Sequence, residues 1–574
     1  MRFGIFYEHQ NPRPWVEERS EHRLLKDALE QVEVADRVGF DYVWEVEHHF
    51  LEEYSHSSAP EVFLAAAAAR TQNIRLGHGI VQIPPAVNHP ARVAERAATL
   101  DLISDGRVDL GTGESSSGAE LGGFLVDRAL KREMWEDAMD AIARMFVEEP
   151  FAGWESEYLQ MPPRNVVPKP LQRPHPPLWV ACSRRETIHF AARNGIGALS
   201  FSFVEPEDVG KWVEEYYAIL DSDECVPVGF DVNPNVAVVL PMMLHEDEAE
   251  AIERGIDGAH FFGYSLAHYY GMGSHRPGRT VIWDEFLANR DERGFARSIV
   301  TPDAAPLAVK IMQHGLGSLR GAIGTPDQVA DLCGRYEAVG VDQVIFVLQA
   351  GPNRHEHICE SLELFGERVI PRFAEERGRR EWEKSERLAG AVQRALARRT
   401  PAREAPAAYV VDEQAELERA ARSRGERPLD VRGRLRNLGQ EAVARLVRGA
   451  SDEQLERRFG SDLAQRAIFT GMVRQFEPKF ALGFEGDIAY ELAHHGGKPP
   501  SRWTVRVRDD SAEVLPGANG AASVTFKLSI PDFARLLAEE ADPQDLMYEG
   551  RFGVEGDLRL ATRVPEMFGS TPSF

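Results

Sequence analysis

The chain has 574 residues, with 66 Lys and Arg against 91 Asp and Glu, a formal charge of −25 and a pI near 5.3. Such a surplus of acid excludes a protein built to hold a phosphate backbone, which needs concentrated Lys and Arg. At roughly 100–200 residues per domain the length predicts two to four domains, or fewer where an α/β barrel uses ~250 as one, and 43% hydrophobic residues suffice for more than one core.

The longest apolar runs, Val62 to Ala69 and Val236 to Leu244, fall far short of the roughly 20 residues that cross a bilayer. The first charged residue after Arg2 is already Glu8, so no signal peptide is expected. Cys182, Cys225, Cys333 and Cys359 form neither a CxxC pair nor a disulfide framework. These features together predict a soluble cytoplasmic protein that binds no nucleic acid.

In chain order, short β-branched or apolar runs alternate with longer amphipathic stretches. The predicted strands are Arg2–Phe6, Tyr42–Glu45, Ile74–Val81, Arg107–Leu110, Pro177–Ala181, Gly197–Phe201, Asn235–Leu240 and Gln343–Leu348. Helical periodicity fills the gaps; Leu24 to Val38 has apolar residues at 3.6 spacing and stops at Gly39. Eight strands with helical crossovers predict an α/β fold, a (β/α)8 barrel over residues 1–371. The long interval before the last strand implies an insertion, whose His260–Gly278 part reads as a lid over the barrel mouth.

Residues 372–436 read as a charged helical linker. Arg372 to Ala450 holds 19 Lys and Arg against 13 Asp and Glu, with three aromatics, too few for a core. Beyond it, residues 437–574 predict a small α+β domain. Ser451-Asp-Glu-Gln454 is a capping box, Phe484–Tyr490, Trp503–Val507 and Val524–Ile530 alternate as strands, and a helix follows at Pro531–Glu539.

Three clusters could carry chemistry. Glu45-Val-Glu47-His48-His49-Phe50 follows a predicted strand, and in a barrel catalytic groups sit at strand C-termini. A histidine there can move a proton near neutral pH, or simply be a satisfied strand-end residue; the HExxH spacing of a zinc site is absent. Arg107 to Gly118 runs from strand into Gly111-Thr-Gly113-Glu114-Ser-Ser-Ser. It meets neither GxGxxG nor GxSxG, but its glycines permit close approach of a flat ligand. Cys182-Ser183-Arg184-Arg185-Glu186-Thr187 opens a helix, which suits an anion or ordinary N-capping by Ser183. His355-Glu-His357 and His494-His495 read as surface polarity and a turn, and the cysteines as small apolar residues.

On these residues the N-terminal part, about 1–371, resembles the bacterial luciferase-like flavin-dependent monooxygenases. The resemblance runs through Arg2-Phe-Gly-Ile-Phe, Gly39-Phe-Asp-Tyr-Val-Trp, Glu47-His-His-Phe50 and Ile74-Arg-Leu-Gly-His-Gly-Ile-Val81. It continues through His89-Pro90, Asp105-Gly-Arg-Val108, Pro176-Pro-Leu-Trp179, Gly324-Thr-Pro-Asp-Gln-Val329 and Gly340-Val-Asp342. It implies a (β/α)8 barrel in which reduced FMN reacts with O2 to give a C4a-peroxyflavin that oxygenates an organic substrate. By residue matching, His48 falls on the catalytic histidine, and His78-Gly79 on a cis non-prolyl peptide beneath the flavin. Gly113 and Glu114 fall on the loop near the isoalloxazine, and Thr187 on a phosphate-binding hydroxyl beside Ser183 and Arg184. Luciferase itself has cysteine and arginine where Gly113 and Glu114 stand, so Arg184 or Arg185 would supply the positive charge.

The C-terminal part, about 437–574, resembles the SCP2 sterol-carrier domain through Phe484-Glu-Gly-Asp487, Trp503-Thr-Val505, Ser529-Ile-Pro-Asp-Phe533, Asp542-Pro543, Gly550 to Asp557 and Met567-Phe-Gly569. That resemblance implies an apolar site for a lipid. The combined expectation is a monooxygenase, commonly a homodimer in this family, fed with reduced FMN by a separate reductase because no NAD(P)H fingerprint is present. The SCP2-like part would bind or present a terpenoid, steroid or long-chain carbonyl. F420-dependent hydride transfer on the same barrel and a non-catalytic lipid-binding scaffold are the rival expectations.

Overall fold

The computed structural model describes residues 1–15, 20–182, 184–201, 205–272, 274–297, 300, 308–312, 315–411, 416, 446–476, 478–481, 483–509, 511–517, 522–538 and 540–568. It divides into two compact units, Met1–Tyr409 and Val410–Phe574.

In the first unit, β1 (Arg2–Tyr7), β2 (Tyr42–Glu45), β3 (Arg75–Gln82), β4 (Val108–Gly113), β5 (Leu178–Cys182), β6 (Gly197–Phe201), β7 (Val236–Leu244) and β8 (Gln343–Val347) form a closed parallel barrel. Closure is visible in the registers: Arg2 lies opposite Gln343, Gly4 opposite Tyr42, Ala198 opposite Val236, and Gln343 opposite Ala237. These strands read as continuous apolar runs because a barrel strand is buried on both faces; every residue of β7 is buried. All eight predicted strands are present, with ends shifted by a few residues.

Helices α1 (Ser20–Val38), α2 (Pro60–Ala68), α3 (Pro90–Ile103), α4 (Gly118–Gly123), α5 (Lys131–Val147), α6 (Arg185–Arg193) and α7 (Pro206–Asp221) follow in turn. α1 ends where Gly39 takes φ +99, a conformation that costs glycine little. One apolar layer lies between barrel and helices. A second fills the interior with Phe6, Trp44, Ile80, Trp179, Leu199, Val239 and Ile345. Space for it depends on two close approaches: a Cβ at Gly77 would lie 2.2 Å from the Trp44 ring, and one at Gly111 would lie 2.1 Å from the His78 carbonyl oxygen.

The insertion between β7 and β8 leaves the C-terminal end of β7. It holds α8 (Glu248–Ala267), a π-helical turn (His268–Met272), α9 (Ile282–Asn289), an antiparallel strand pair (Ala308–Met312 with Gly315–Gly324) and α10 (Pro326–Ala338). The expected lid is thus only partly a loop. His260 to Ala267 are the last turns of α8, with His260 2% exposed.

After α11 (His355–Arg368), α12 (Ile370–Arg398) begins where the linker was expected, and it is no solvated helix. Phe373, Leu388, Ala391 and Ala395 are buried in the barrel's outer core. Ion pairs fix it to the barrel's N-terminal end: Arg2 to Glu381 at 2.6 Å, Arg377 to Asp41 at 2.6 Å and Lys384 to Asp342 at 2.6 Å. The chain then stays on the barrel through Arg403, which pairs with buried Glu148, and Tyr409, whose hydroxyl accepts from Arg164. The first unit therefore ends at Tyr409 rather than at 371, and residues 412–415 and 417–436 of the expected linker lie outside the described residues.

The second unit is an α+β fold. Its five-stranded sheet joins β9 (Gly486–Ala493), β10 (Ser501–Arg508), β11 (Ser511–Pro516), β12 (Val524–Ser529) and β13 (Phe552–Gly556) in the order β11-β10-β9-β12-β13. Alternation along β12 puts Val524, Phe526 and Leu528 inward. α13 (Asp452–Phe459) opens on the expected capping box: Ser451 Oγ accepts from the Gln454 amide and Gln454 Oε1 from the Ser451 amide. α14 (Asp462–Val473) brings Phe469 onto Trp503, with ring centroids 5.5 Å apart, and onto Phe533 of α15 (Ile530–Leu537) at 5.4 Å. None of the described helices is long and apolar enough to cross a membrane.

Candidate active site

The C-terminal ends of the barrel strands gather charged and polar side chains that their positions in sequence keep far apart. β1 ends into Glu8, β2 into Glu47 and His48, β3 into Gln82, and β4 into Glu114 and Ser115; Glu120 comes from α4. The loop after β2 turns back on itself, the His48 amide donating to the Ser57 carbonyl at 2.7 Å, and this presents the imidazole at the mouth.

His48 lies between two carboxylates. Its Nδ1 is 2.9 Å from Glu120 Oε1 and its Nε2 is 3.6 Å from Glu8 Oε2. The imidazole is 14% exposed, the Glu8 side chain 1% and the Glu120 side chain 0%. Burial alone would lower the His48 pKa, but Glu120 and Glu8 outweigh it and raise it to about 9. Burial likewise pushes Glu120 up, yet His48, the His49 amide and Ser115 Oγ hold it below the ordinary carboxylate range. Gln82 Nε2 donates to the same Glu120 oxygen at 2.5 Å. For Glu8 burial prevails over His48 and the Tyr54 hydroxyl, and its pKa rises to about 7.

An apolar shell surrounds this triad. Val46, Leu51 and Phe262 are nearly fully buried beside it. The Tyr54 ring lies 5.9 Å from Phe262, 6.4 Å from Tyr269 and 6.5 Å from Tyr270, so the insertion after β7 reaches the site. Two acids of the β2 loop hold the insertion down. Glu52 accepts from His275 Nε2 at 3.1 Å and from the Gly278 amide at 2.7 Å, and Glu53 from the Ile282 amide at 2.6 Å.

The other predicted residues divide into those near the mouth and those turned from it. Gly79 faces the interior, where a Cβ would meet Phe6 and Trp44 at 3.2 Å. His78 therefore points the opposite way; burial lowers its pKa, against Glu61 of the helical layer and Glu47. The His78–Gly79 peptide is trans. The cis bonds among the described residues all precede prolines, and the β3 backbone instead shifts register against β4 between His78 and Val81.

Gly113 is packed under Ile80, whose Cδ1 would lie 2.5 Å from an added Cβ. Glu114 is paired with Lys131 at 3.3 Å and Arg132 at 3.0 Å. Its charge is thus met at the start of α5. Arg185 is occupied by Glu215, while Arg184 is exposed and makes no ion pair among the described residues. Thr187 Oγ1 donates to the Arg184 carbonyl at 2.6 Å and accepts from its amide at 3.2 Å, an N-terminal cap for α6. Ser183 lies outside the described residues.

Sequence reasoning missed Glu8, Gln82 and Glu120. Glu8 carries a signal in retrospect, being the first charge after a strand's apolar run. Glu120 carries none, since only the folded chain brings it to His48.

Comparison with known proteins agrees with the fold of both units. The luciferase-like monooxygenase family model matches residues 1–343, and that of the SCP-2 sterol transfer family matches residues 482–569. The chain is 25% identical over 380 residues to the oxygenase component of a flavin-dependent trigonelline monooxygenase from Acinetobacter baylyi, covering 65% of this chain and 96% of that protein. It is 32% identical over 216 residues to limonene 1,2-monooxygenase from Rhodococcus erythropolis, 35% of this chain and 51% of that one. Among solved structures, the monooxygenase RslO1 of Streptomyces bottropensis is 26% identical with a TM-score of 0.51, covering 65% of this chain and all of that one. The chain belongs to the luciferase-like monooxygenase family, and it carries a C-terminal segment of the SCP-2 sterol transfer family.

Proposed function

We propose that the barrel is the oxygenase of a two-component system, taking reduced FMN from a separate reductase and using O2 to oxygenate an apolar organic substrate. The observation that carries this reading is His48, a proton-bearing imidazole at the barrel mouth between a fixed anion and an apolar wall. The relative named as an oxygenase component supports delivery of flavin from outside, and the relative acting on limonene supports an apolar substrate.

The residues present fit such a cofactor. Arg184 opens α6 without an ion pair among the described residues, the Arg132 guanidinium lies 4.4 Å from the Phe190 ring of the same helix, and Lys131 with Arg132 exceeds the single charge of Glu114, so this end of the barrel keeps positive charge for an anionic tail. When bound, the flavin supplies the oxygen chemistry; the chain's own part is to exclude water with the Tyr54–Phe262 wall and to hold or move a proton at His48 Nε2. The SCP-2 segment binds or presents the lipophilic substrate (a terpenoid, steroid or long-chain carbonyl), and its tethering raises the local substrate concentration. We read the assembly as a homodimer.

The exposed Arg184 also suits the longer anionic tail of F420, which would make the reaction a hydride transfer without oxygen. Two measurements separate the readings: O2 consumption with reduced FMN, and product oxygenation across a panel of monoterpenes, steroids and long-chain aldehydes. Oxygenation reduced at least 100-fold in His48→Ala supports the proposal, the loss of one acid–base group being worth roughly 10²–10⁴. Unchanged oxygenation with every substrate rejects the role of His48, and F420 reduction without O2 uptake rejects the oxygenase.

A further inference from the structure

The two carboxylates beside His48 are not equivalent. Glu120 is saturated: Oε1 takes the imidazole Nδ1, the His49 amide and Gln82 Nε2, and Oε2 takes Ser115 Oγ at 2.9 Å. Glu8 is bound at one oxygen only. Its Oε1 accepts from the Tyr54 hydroxyl at 2.9 Å, which turns Oε2 toward His48; Oε2 is buried and has no hydrogen-bond partner. His48 Nε2 lies 3.6 Å away. That separation is too long for a hydrogen bond, and a shift of under about 1 Å in the ring or carboxyl would close it.

A buried carboxylate oxygen without a donor is costly, and it is relieved either by that approach or by protonation. The groups acting on Glu8 are His48 and Tyr54 from the β2 loop, Glu45 from β2, which itself meets His9 Nε2 at 2.9 Å, Glu120 from α4 and Tyr270 from the π-helical turn. Only His48 among them is cationic. Burial and the like charges of Glu120 and Glu45 therefore oppose ionisation of Glu8, whereas the donors around Glu120 favour its ionisation. Two carboxylates tuned apart on one ring imply two roles.

We propose that Glu8 is the proton-exchange partner of His48, a positioning residue that acts through the imidazole while Glu120 fixes the ring. In the step, the His48 Nε2–H bond breaks and a Glu8 Oε2–H bond forms, so the imidazolium–carboxylate pair becomes neutral imidazole and carboxylic acid. The reverse transfer restores it. Charge is conserved and no oxidant or reductant is needed. The exchange returns His48 to its working protonation state through a carboxyl that is itself buried, the Glu8 side chain being 1% exposed. This inference rests on His48 being the acid–base group of the proposed function, but it is testable in the protein without flavin.

The test is a pH titration of the full chain labelled with 15N-histidine, with the His48 imidazole signals assigned by their loss in His48→Ala. The His48 Nε2 signal is expected to show two inflections, one near pH 7 from Glu8 and one near pH 9 from the ring itself. Glu8→Gln abolishes the lower inflection and moves the upper one down, and Tyr54→Phe moves the lower one up. Tyr54→Phe decides the matter if Glu8→Gln does not fold. In the FMN-loaded enzyme, the pH profile of O2 uptake loses its limb near pH 7 in Glu8→Gln. A single inflection that neither variant alters overturns the proposal. Failure of oxygenation in the wild type with both inflections present would instead count against the function alone.

Discussion

At the scale of single residues, the imidazole of His48 and the carboxyl of Glu8 each hold a proton more tightly than in the unfolded chain. A group whose pKa rises on folding stabilises the fold below its unfolded value and loses that contribution as the pH climbs through the folded value. Glu8 accordingly contributes below about 4.5 and loses its effect by about 7, while His48 contributes below 6.5 and loses its effect by about 9. In urea unfolding, the stability difference between wild type and Glu8→Gln is expected to change between pH 4.5 and 7, and that between wild type and His48→Gln between pH 6.5 and 9. Differences that do not vary with pH would show that neither shift exists. Glu120→Gln should cost about 1–3 kcal/mol at pH 7, because it leaves His48 facing an amide where it now meets a saturated anion. Of this site His48 was legible in the sequence, by its place after a strand. Its partners were not, because Glu120 is 72 residues away and a helix N-terminus gives no hint of its target.

At the scale of elements, close backbone approach at the barrel wall decides what is tolerated. Gly111→Ala sets a Cβ against the His78 carbonyl, backbone that cannot swing aside. Overpacking of this kind costs about 1–3 kcal/mol or more. Gly118→Ala, with open space around it on α4, should be neutral or gain about 0.4–1 kcal/mol. Thermal melts of the two variants would expose a misplaced β3–β4 contact if their order were reversed. The eight strands were legible because burial on both faces writes long apolar runs. α12 was misread because it is mostly polar: Phe373 stands far from the next buried residue, and the buried stripe Leu388, Ala391 and Ala395 consists mainly of small alanines. Its other anchors are Asp41, Asp342 and Arg2 on the barrel, at sequence distances no local pattern shows. Leu388→Ala is expected to cost about 2–5 kcal/mol; a cost near zero would restore the reading of a solvated helix. The His78–Gly79 peptide was a property carried over from the resemblance, and the register shift of β3 meets the same stretch in another way.

At the scale of the whole molecule, two units with separate cores should unfold as two cooperative transitions. A fragment ending at Tyr409 keeps α12 and should reproduce the melting of the barrel unit, whereas one ending at residue 371 exposes the core under α12 and should melt lower. Equal melting of both fragments would put the boundary back where the charge pattern placed it. The α+β character of the second unit was legible in Ser451–Gln454 and in the alternation of β9, β10 and β12. β11 and β13 were missed as strands, since Ser511–Pro516 and Phe552–Gly556 alternate weakly around polar and glycine residues.

His48 is proposed to serve flavin-dependent oxygen chemistry at the barrel mouth. The most direct measurement mixes the full chain, loaded anaerobically with reduced FMN, with O2 in a stopped-flow instrument and follows the flavin absorbance. The wild type should pass through a long-lived species distinct from reduced and oxidised flavin, and His48→Ala should lose it. Oxidation no faster than that of free flavin, with no such species in either protein, would contradict the account and turn the assignment toward hydride transfer with F420.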